Sequence, residues 1–233
     1  YKRSDTATVQ VDKFLYQNLI LAGKNKGFDG LTSSVQALYF NYLESKMRKI
    51  LGINSLSEDL LISLGLIENR KYNNAAALFA DENNFYGIDI VRFGNTINEI
   101  LDRETVTGIS VLKQYDVAVE LYKKYYQYEK IEGINRKLIE VIPEDAFREA
   151  IANALVHRVW DVNSHTRVSM YSDKIEIVSP GSLPKGLIES EYLNGYISNL
   201  RNPIIGNVFF RLHYIEMFGT GIRRILNSYS DFK

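Results

Sequence analysis

The sequence predicts an α+β fold, mostly helical over residues 1–68 and mixing helices with strands over 69–233. Three observations carry that expectation. Val11 to Ala22 and Ser33 to Leu51 set apolar residues at helical spacing, with Gly27 to Gly30 as a break between them. Thr166 to Tyr171 and Lys174 to Val178 alternate apolar and polar residues around Ser172-Asp173, the pattern of a hairpin. Before them, VIPEDAFREAIANALVHRVW (Val141 to Trp160) reads as one helix, because Pro143 suits a first turn and the positive end of the helix dipole favours Glu144 and Asp145.

The remaining elements follow in order. Ser57, Glu58 and Asp59 cap a short helix ending near Gly65, and residues 1–68 together suit a helical lead-in or partner-binding unit. Ala75 to Ala80 and Ile88 to Phe93 are short apolar runs separated by the polar stretch Asp81 to Gly87, which suggests two paired strands. In LKQYDVAVELYKKYYQY, residues Leu112, Tyr115, Val119, Tyr122 and Tyr126 form one helical stripe. Aromatic rings beside cations also hold single-stranded nucleic acid, but these tyrosines fall at core spacing with the lysines between them. In SPGSLPKG, two prolines and two glycines force an irregular, exposed backbone.

Composition bounds the function classes. With 45% apolar residues in 233, the chain can bury a core. Lys+Arg and Asp+Glu both number 28, so any attraction to nucleic acid must be local, with Arg201, Arg211, Arg223 and Arg224 as its candidates. The absence of Cys excludes disulfides, a thiolate nucleophile and a cysteine zinc site, and only three His are present. No apolar run approaches the roughly 20 residues of a membrane helix, and YKRSDTATVQ has no signal-peptide core. A cytoplasmic protein without a membrane partner is therefore expected. A start without Met and an end just past a helix-like segment suggest a piece of a longer protein.

Glu149, Asn153 and His157 recur every fourth residue, which puts all three on one edge of a helix. A carboxylate there can orient or deprotonate water, and an amide oxygen suits a hard ion such as Mg²⁺. Ala146, Ala150 and Ala154 form a neighbouring strip small enough for a ligand or a backbone to come close. The same spacing also suits buried polar residues that tie the helix to its neighbours. Further on, Gly219-Thr220-Gly221 precedes the helical pattern of Ile222, Ile225 and Leu226, and glycines at a helix start expose N–H groups to an anion.

Taken together, REAIANALVHR, the strand ending in SPGSLP, RNP and IEMFGTGIRRI resemble the RecG-like C-terminal family over about Asn74 to Ile225. Proteins of that family are often named transcriptional regulators or helicase-like proteins. The opening YKRSDTATV resembles the tail of a Schlafen-type AlbA-like domain, which implies a domain missing before residue 1. The family is in turn similar to the GHKL ATPases, which implies a Bergerat α/β sandwich with a mixed sheet over residues 69–233, truncated at its C-terminal end. The resemblance implies ATP and Mg²⁺ as cofactors. It makes Glu149 the water-activating catalytic residue, Asn153 the metal ligand, and Asn153, His157, Gly181, Gly219, Thr220 and Gly221 the cofactor-binding residues. RNPIIGNVFFRLHYIEM would form the lid.

Departures from that pattern are equally legible. The GHKL ATPases read adenine with Asp in an Asp-x-Gly-x-Gly pattern, and Ser179-Pro180-Gly181 stands there instead. His157 and Arg158 make the helix edge more cationic than the parent site. No G-x-x-x-x-G-K-[ST] loop occurs, so no motor helicase is expected. The expected function is a transcriptional-regulator module with a GHKL-like nucleotide-binding fold, weakly hydrolytic at most. Its alternative is a non-enzymatic dimerisation or ligand-sensing module that has lost nucleotide binding. In either case the resemblance implies a homodimer and DNA held through an attached domain.

Overall fold

The structure, a computed structural model, describes residues 2–4, 7–9, 27–182, 200–216, 219–230 and 232. The helix expected over Val11 to Ala22 and the end of the SPGSLPKG run lie outside them. The first described pair, β1 (Lys2–Ser4) and β2 (Ala7–Val9), forms an antiparallel hairpin. A 3-10 turn at Phe28–Gly30 precedes α1 (Asn41–Leu51) and α2 (Glu58–Ser63). As expected, Ser57 caps α2, its Oγ accepting from the Leu60 N–H at 3.2 Å. Helix α1 begins later than Ser33. Residues 33–40 are held outside any helix by the following chain, where Gln36 Nε2 donates to the Tyr72 carbonyl at 3.0 Å and its Oε1 accepts the Tyr72 N–H at 2.9 Å.

A short hairpin, β3 (Ile67–Glu68) with β4 (Lys71–Tyr72), leads into α3 (Asn74–Phe79). This corrects the strand expected over Ala75 to Ala80. Every residue of that run is buried, so it has no polar face to reveal a helical period, and Asn73 Oδ1 caps it by accepting from the Ala76 N–H at 3.0 Å.

The main sheet has the order β10–β9–β5–β6, built from β5 (Ile88–Phe93), β6 (Ile100–Val106), β9 (Thr166–Met170) and β10 (Ile175–Val178). It is mixed: β5 and β9 run parallel, with Ile88 opposite Thr166, and the two outer pairs are antiparallel. The hairpin expected around Ser172-Asp173 is β9–β10, Met170 opposite Ile175. The partner of β5 is β6, not the Ala75 run. Ile88, Ile90, Val168 and Met170 point to a buried face, while Arg167 and Glu176 face outward.

Two helices cover the buried face, α4 (Val111–Tyr126) and α5 (Glu144–Val156), giving an α/β sandwich. Leu112, Tyr115, Tyr122 and Tyr126 are buried as the stripe required, with Val119 half-buried. Tyr122 stacks on Phe147 of α5 with ring centroids 4.8 Å apart. Leu43, Met47, Leu61 and Leu64 of the earlier helices join the same core. Each such side chain, fully buried, contributes roughly 1.5–3 kcal/mol.

After α4 the chain turns into a hairpin that the helical reading of YQY did not anticipate, β7 (Gln127–Glu132) and β8 (Asn135–Glu140). Ile134 at its tip is 99% exposed. The lid segment also differs from expectation, because α6 (Pro203–Arg211) is a core helix whose Ile205, Val208 and Phe209 are fully buried. Buried Asp29 caps it from the 3-10 turn, accepting from the Ile204 N–H at 2.7 Å and the Ile205 N–H at 3.3 Å. The last element, α7 (Gly221–Ser230), lies against α5 and buries no residue fully.

Candidate functional site

Helix α5 is anchored at both ends. At its start, the Glu140 carboxylate accepts the Glu144 N–H at 2.9 Å, and Gln127 Nε2 donates to Glu144 Oε2 at 2.6 Å. At its end, Asn202 Nδ2 donates to the carbonyls of Val156 at 2.7 Å and Arg158 at 2.8 Å, tying the start of α6 to the end of α5. Arg158 then turns inward. Its fully buried guanidinium donates to the carbonyls of Gly87, at 2.8 Å, and Ser164, and lies 4.3 Å over the Trp160 ring. Burial pushes its pKa down to about 10.

The edge of α5 divides into two depths. Glu149 is only 7% exposed, and its Oε1 accepts from Asn153 Nδ2 at 3.1 Å. Gly221, the first residue of α7, closes over both: a Cβ there would stand 2.4 Å from Glu149 Oε1 and 2.9 Å from Asn153 Nδ2. Burial raises the Glu149 pKa above the usual carboxylate value. The Asn153 bond and the charge of Arg224 pull it down, and Glu216 adds a further rise. Arg224 itself pairs with Glu216 at 3.3 Å.

Asn153 and His157 open into a cleft of about 430 Å³ between α5, the 179–182 turn and α7. Ala150 and Ala154 line it, as their small size allows, and Ile177, Ile222 and Ile225 add apolar surface. Ser179, Pro180, Gly181, Ser182 and Arg201 line it as well. The turn is fixed to α5 at two points: Ser179 Oγ donates to the Ala154 carbonyl at 2.6 Å, and the Val159 N–H donates to the Pro180 carbonyl at 2.9 Å. Gly181 has φ 127°, and a Cβ there would meet Val159 Cγ2 at 2.6 Å, so both backbone and space require glycine. A guanidinium N–H of Arg201 donates to the Ser182 carbonyl, while Arg201 Nε is buried without a partner. Burial and then the charge of Arg201 hold His157 below the usual imidazole value.

The structure thus brings Asn153, His157 and Gly181 to one cleft, and joins Glu149 with Gly221 beneath its edge. Gly219, at φ 67°, and Thr220, whose carbonyl accepts the Arg224 N–H at 2.9 Å, precede α7 and are not among the lining residues. Ser179 lies in the cleft, as expected of a residue at the base-reading position, whereas Arg201 was not expected there. Arg201 stood among the arginines offered to nucleic acid, and the signal for its real position was Asn202 beside it, a buried amide that holds the loop on α5. No group of three or more His, Cys, Asp or Glu able to hold a metal occurs among the described residues, and no described helix is long and apolar enough to cross a membrane.

Residues 163–233 match the model of a family described as "Putative ATP-dependent DNA helicase recG C-terminal", an ATPase-type family. The match covers β9, β10, α6 and α7, and begins after Glu149, Asn153 and His157. No curated protein matches the chain. Among solved structures, the DIP2311 protein from Corynebacterium diphtheriae is similar in fold, with a TM-score of 0.75 at 21% identity over 97% of this chain and 47% of that one. The chain spans about half the length of that protein. Its C-terminal part is therefore similar to the RecG-like C-terminal family, on a mixed α/β fold shared with a larger bacterial protein.

Proposed function

We propose that residues 69–233 form a GHKL-like nucleotide-binding module, preceded by a lead-in over 1–68. The observation that carries this reading is the cleft itself. Its roughly 430 Å³ suits a small-molecule ligand, and Asn153, the 179–182 turn and the start of α7 converge on it or its rim. The ATPase-type family match over residues 163–233 supports it independently.

Asn153 gives its Nδ2 to Glu149, which leaves its amide oxygen as a donor of the type Mg²⁺ accepts. A phosphate-bound Mg²⁺ keeps several waters and needs few protein ligands, so one amide oxygen fits that chemistry. When bound, the ion would neutralise phosphate charge. Gly219 to Gly221, at the positive end of α7, would lie beside the phosphates. Glu149 is the water-orienting carboxylate of this reading, but it is only 7% exposed and Gly221 packs close against its Oε1. Binding without appreciable turnover follows for the arrangement described.

A melting experiment tests this reading. ATP and GTP at millimolar concentration, each with Mg²⁺, are expected to raise the melting temperature, and Asn153→Ala to abolish the rise. A flat response to both nucleotides would refute it. A second reading, a regulatory module that does no chemistry, is favoured by the sealing of Glu149 under Gly221. In both readings the module works as a cytoplasmic transcriptional regulator, as a homodimer and beside an attached DNA-binding domain. Light scattering and salt-dependent DNA titration of the full-length protein test those two expectations.

A further inference from the structure

We propose that the outer edge of β8 is the surface on which a second copy of this chain docks, the two β7–β8 hairpins joining into one four-stranded sheet. The inference rests on the homodimer reading above and adds where the copies meet.

Every residue from 128 to 138 is exposed, so the ribbon has both faces in solvent. Tyr128, Ile131, Ile134 and Leu138 are large apolar side chains on it, and among the described residues neither of its edges is paired. A two-stranded ribbon is marginal by itself, and an uncovered edge is a template for another strand. Which backbone groups face outward follows from the ladder. At its base the Val141 N–H donates to the Tyr126 carbonyl at 2.8 Å. Bonded pairs alternate with unbonded ones, so Tyr128 with Ile139, Lys130 with Lys137 and Glu132 with Asn135 bond inside the ribbon. The N–H and C=O groups of Arg136, Leu138 and Glu140 therefore point away from β7, and those of Gln127, Glu129 and Ile131 point away from β8.

Two copies that pair antiparallel do so about a two-fold axis, and the register engaging all three outward residues of β8 has one centre, Leu138. Leu138 then meets Leu138 of the second copy, and on either side of the axis Arg136 meets Glu140. Opposite charges directly across two strands stabilise the pair, and like charges weaken it. The acid is already fixed, because the Glu140 carboxylate accepts the Glu144 N–H at 2.9 Å. Arg136, which reaches Glu129 of its own copy at 3.2 Å, would lie between two carboxylates. Neighbouring registers each drop one of the three outward residues. Centring on Lys137 sets two ammonium groups together, and centring on Ile139 sets Leu138 against Glu140. The β7 edge fails the same test, since its full register places Glu129 against Glu129. A strand that is its own charge complement in its longest register fits a second copy of itself, and only β8 has that property in this ribbon.

The chain has no Cys, so a single introduced thiol reports its own neighbour. In the proposed register Leu138→Cys brings two thiols onto Cα atoms about 5.5 Å apart, within the reach of a disulfide. Those of Glu129→Cys would stand three strand spacings apart, about 14 Å, and those of Ile134→Cys more than about 20 Å. Oxidised glutathione is expected to cross-link the full chain carrying Leu138→Cys into a dimer and to leave the other two variants single. Sedimentation of the unaltered chain is expected to show a dimer. Leu138→Lys, which sets like charges on the axis, is expected to weaken it at least about tenfold. Because Leu138 is exposed, the melting temperature of that variant's monomer should stay that of a folded chain. A chain that is monomeric at every concentration would overturn both this inference and the homodimer reading. A dimer untouched by Leu138→Lys, or cross-linking of Glu129→Cys or Ile134→Cys as readily as Leu138→Cys, would overturn the β8 edge and leave the homodimer standing.

Discussion

Gly221 rests against Glu149 so closely that a Cβ at that position would stand 2.4 Å from the Glu149 carboxylate oxygen. The first residue of α7 is thus fitted to a buried acid on α5, and side-chain size at one position limits the other. Gly221→Ala is expected to cost about 1–3 kcal/mol, since the buried carboxylate, held by its hydrogen bond from Asn153, must shift to make room. Glu149→Ala in the same chain removes the obstruction. Urea unfolding of the single and double variants should show a coupling above about 0.5 kcal/mol, and strict additivity would mean that the two residues do not touch.

His157 makes the protein sensitive to acid. Burial, reinforced by Arg201, holds its imidazole below the ordinary 6.5. A group with a lowered pKa in the folded state contributes stability that is present above its unfolded value and lost as pH falls through its folded value. Stability is therefore expected to decline as pH drops below about 6.5, more steeply than in His157→Gln. Unfolding free energies of the two proteins, measured from about pH 7.5 down to 5, check this; parallel curves would exclude His157 as the source.

Asn202 is the bridge between α5 and α6, and its two donated bonds end on the carbonyls of Val156, the last residue of α5, and of Arg158, two residues on. Asn202→Ala leaves the Val156 and Arg158 carbonyls buried without that donor, a loss of about 1–3 kcal/mol. Asn202→Asp preserves shape but sets a carboxylate against two carbonyls, so it is expected to destabilise at least as much. Thermal melts of both variants test the order.

The place of α6 in the core yields a sharper number. Phe209 is fully buried, with ring centroids 6.1 Å from Tyr115 and 6.3 Å from Phe79. Phe209→Ala is expected to cost about 3–5 kcal/mol. A helix acting as a surface flap would lose far less, and chemical denaturation distinguishes the two.

Elements with a polar face or a clear cap were legible from sequence. Alternation exposed β9–β10, and Pro143 with two acids marked the start of α5. The Ala75 run failed because complete burial erases periodicity, although Asn73 ahead of it was a readable cap. Hairpin β7–β8 was hidden by the tyrosine stripe running into it, while Gly133 at φ 63° marked its turn. Spacing alone put Glu149, Asn153 and His157 on one edge. It carried no depth, and depth is what separates sealed Glu149 from the two residues that reach the cleft.

The parallel pairing of β5 with β9 sets a timetable for assembly. Ile88 meets Thr166 only after α4, the β7–β8 hairpin and the whole of α5 have been made, because all of them lie in the connection between the two strands. Such distant pairing closes a long loop and is slow relative to helix formation. During synthesis α5 would leave the ribosome when only the β5–β6 half of the sheet it must cover is available. Residues after Met170 then complete both the sheet and the cleft, so the cleft is among the last parts of this chain to form.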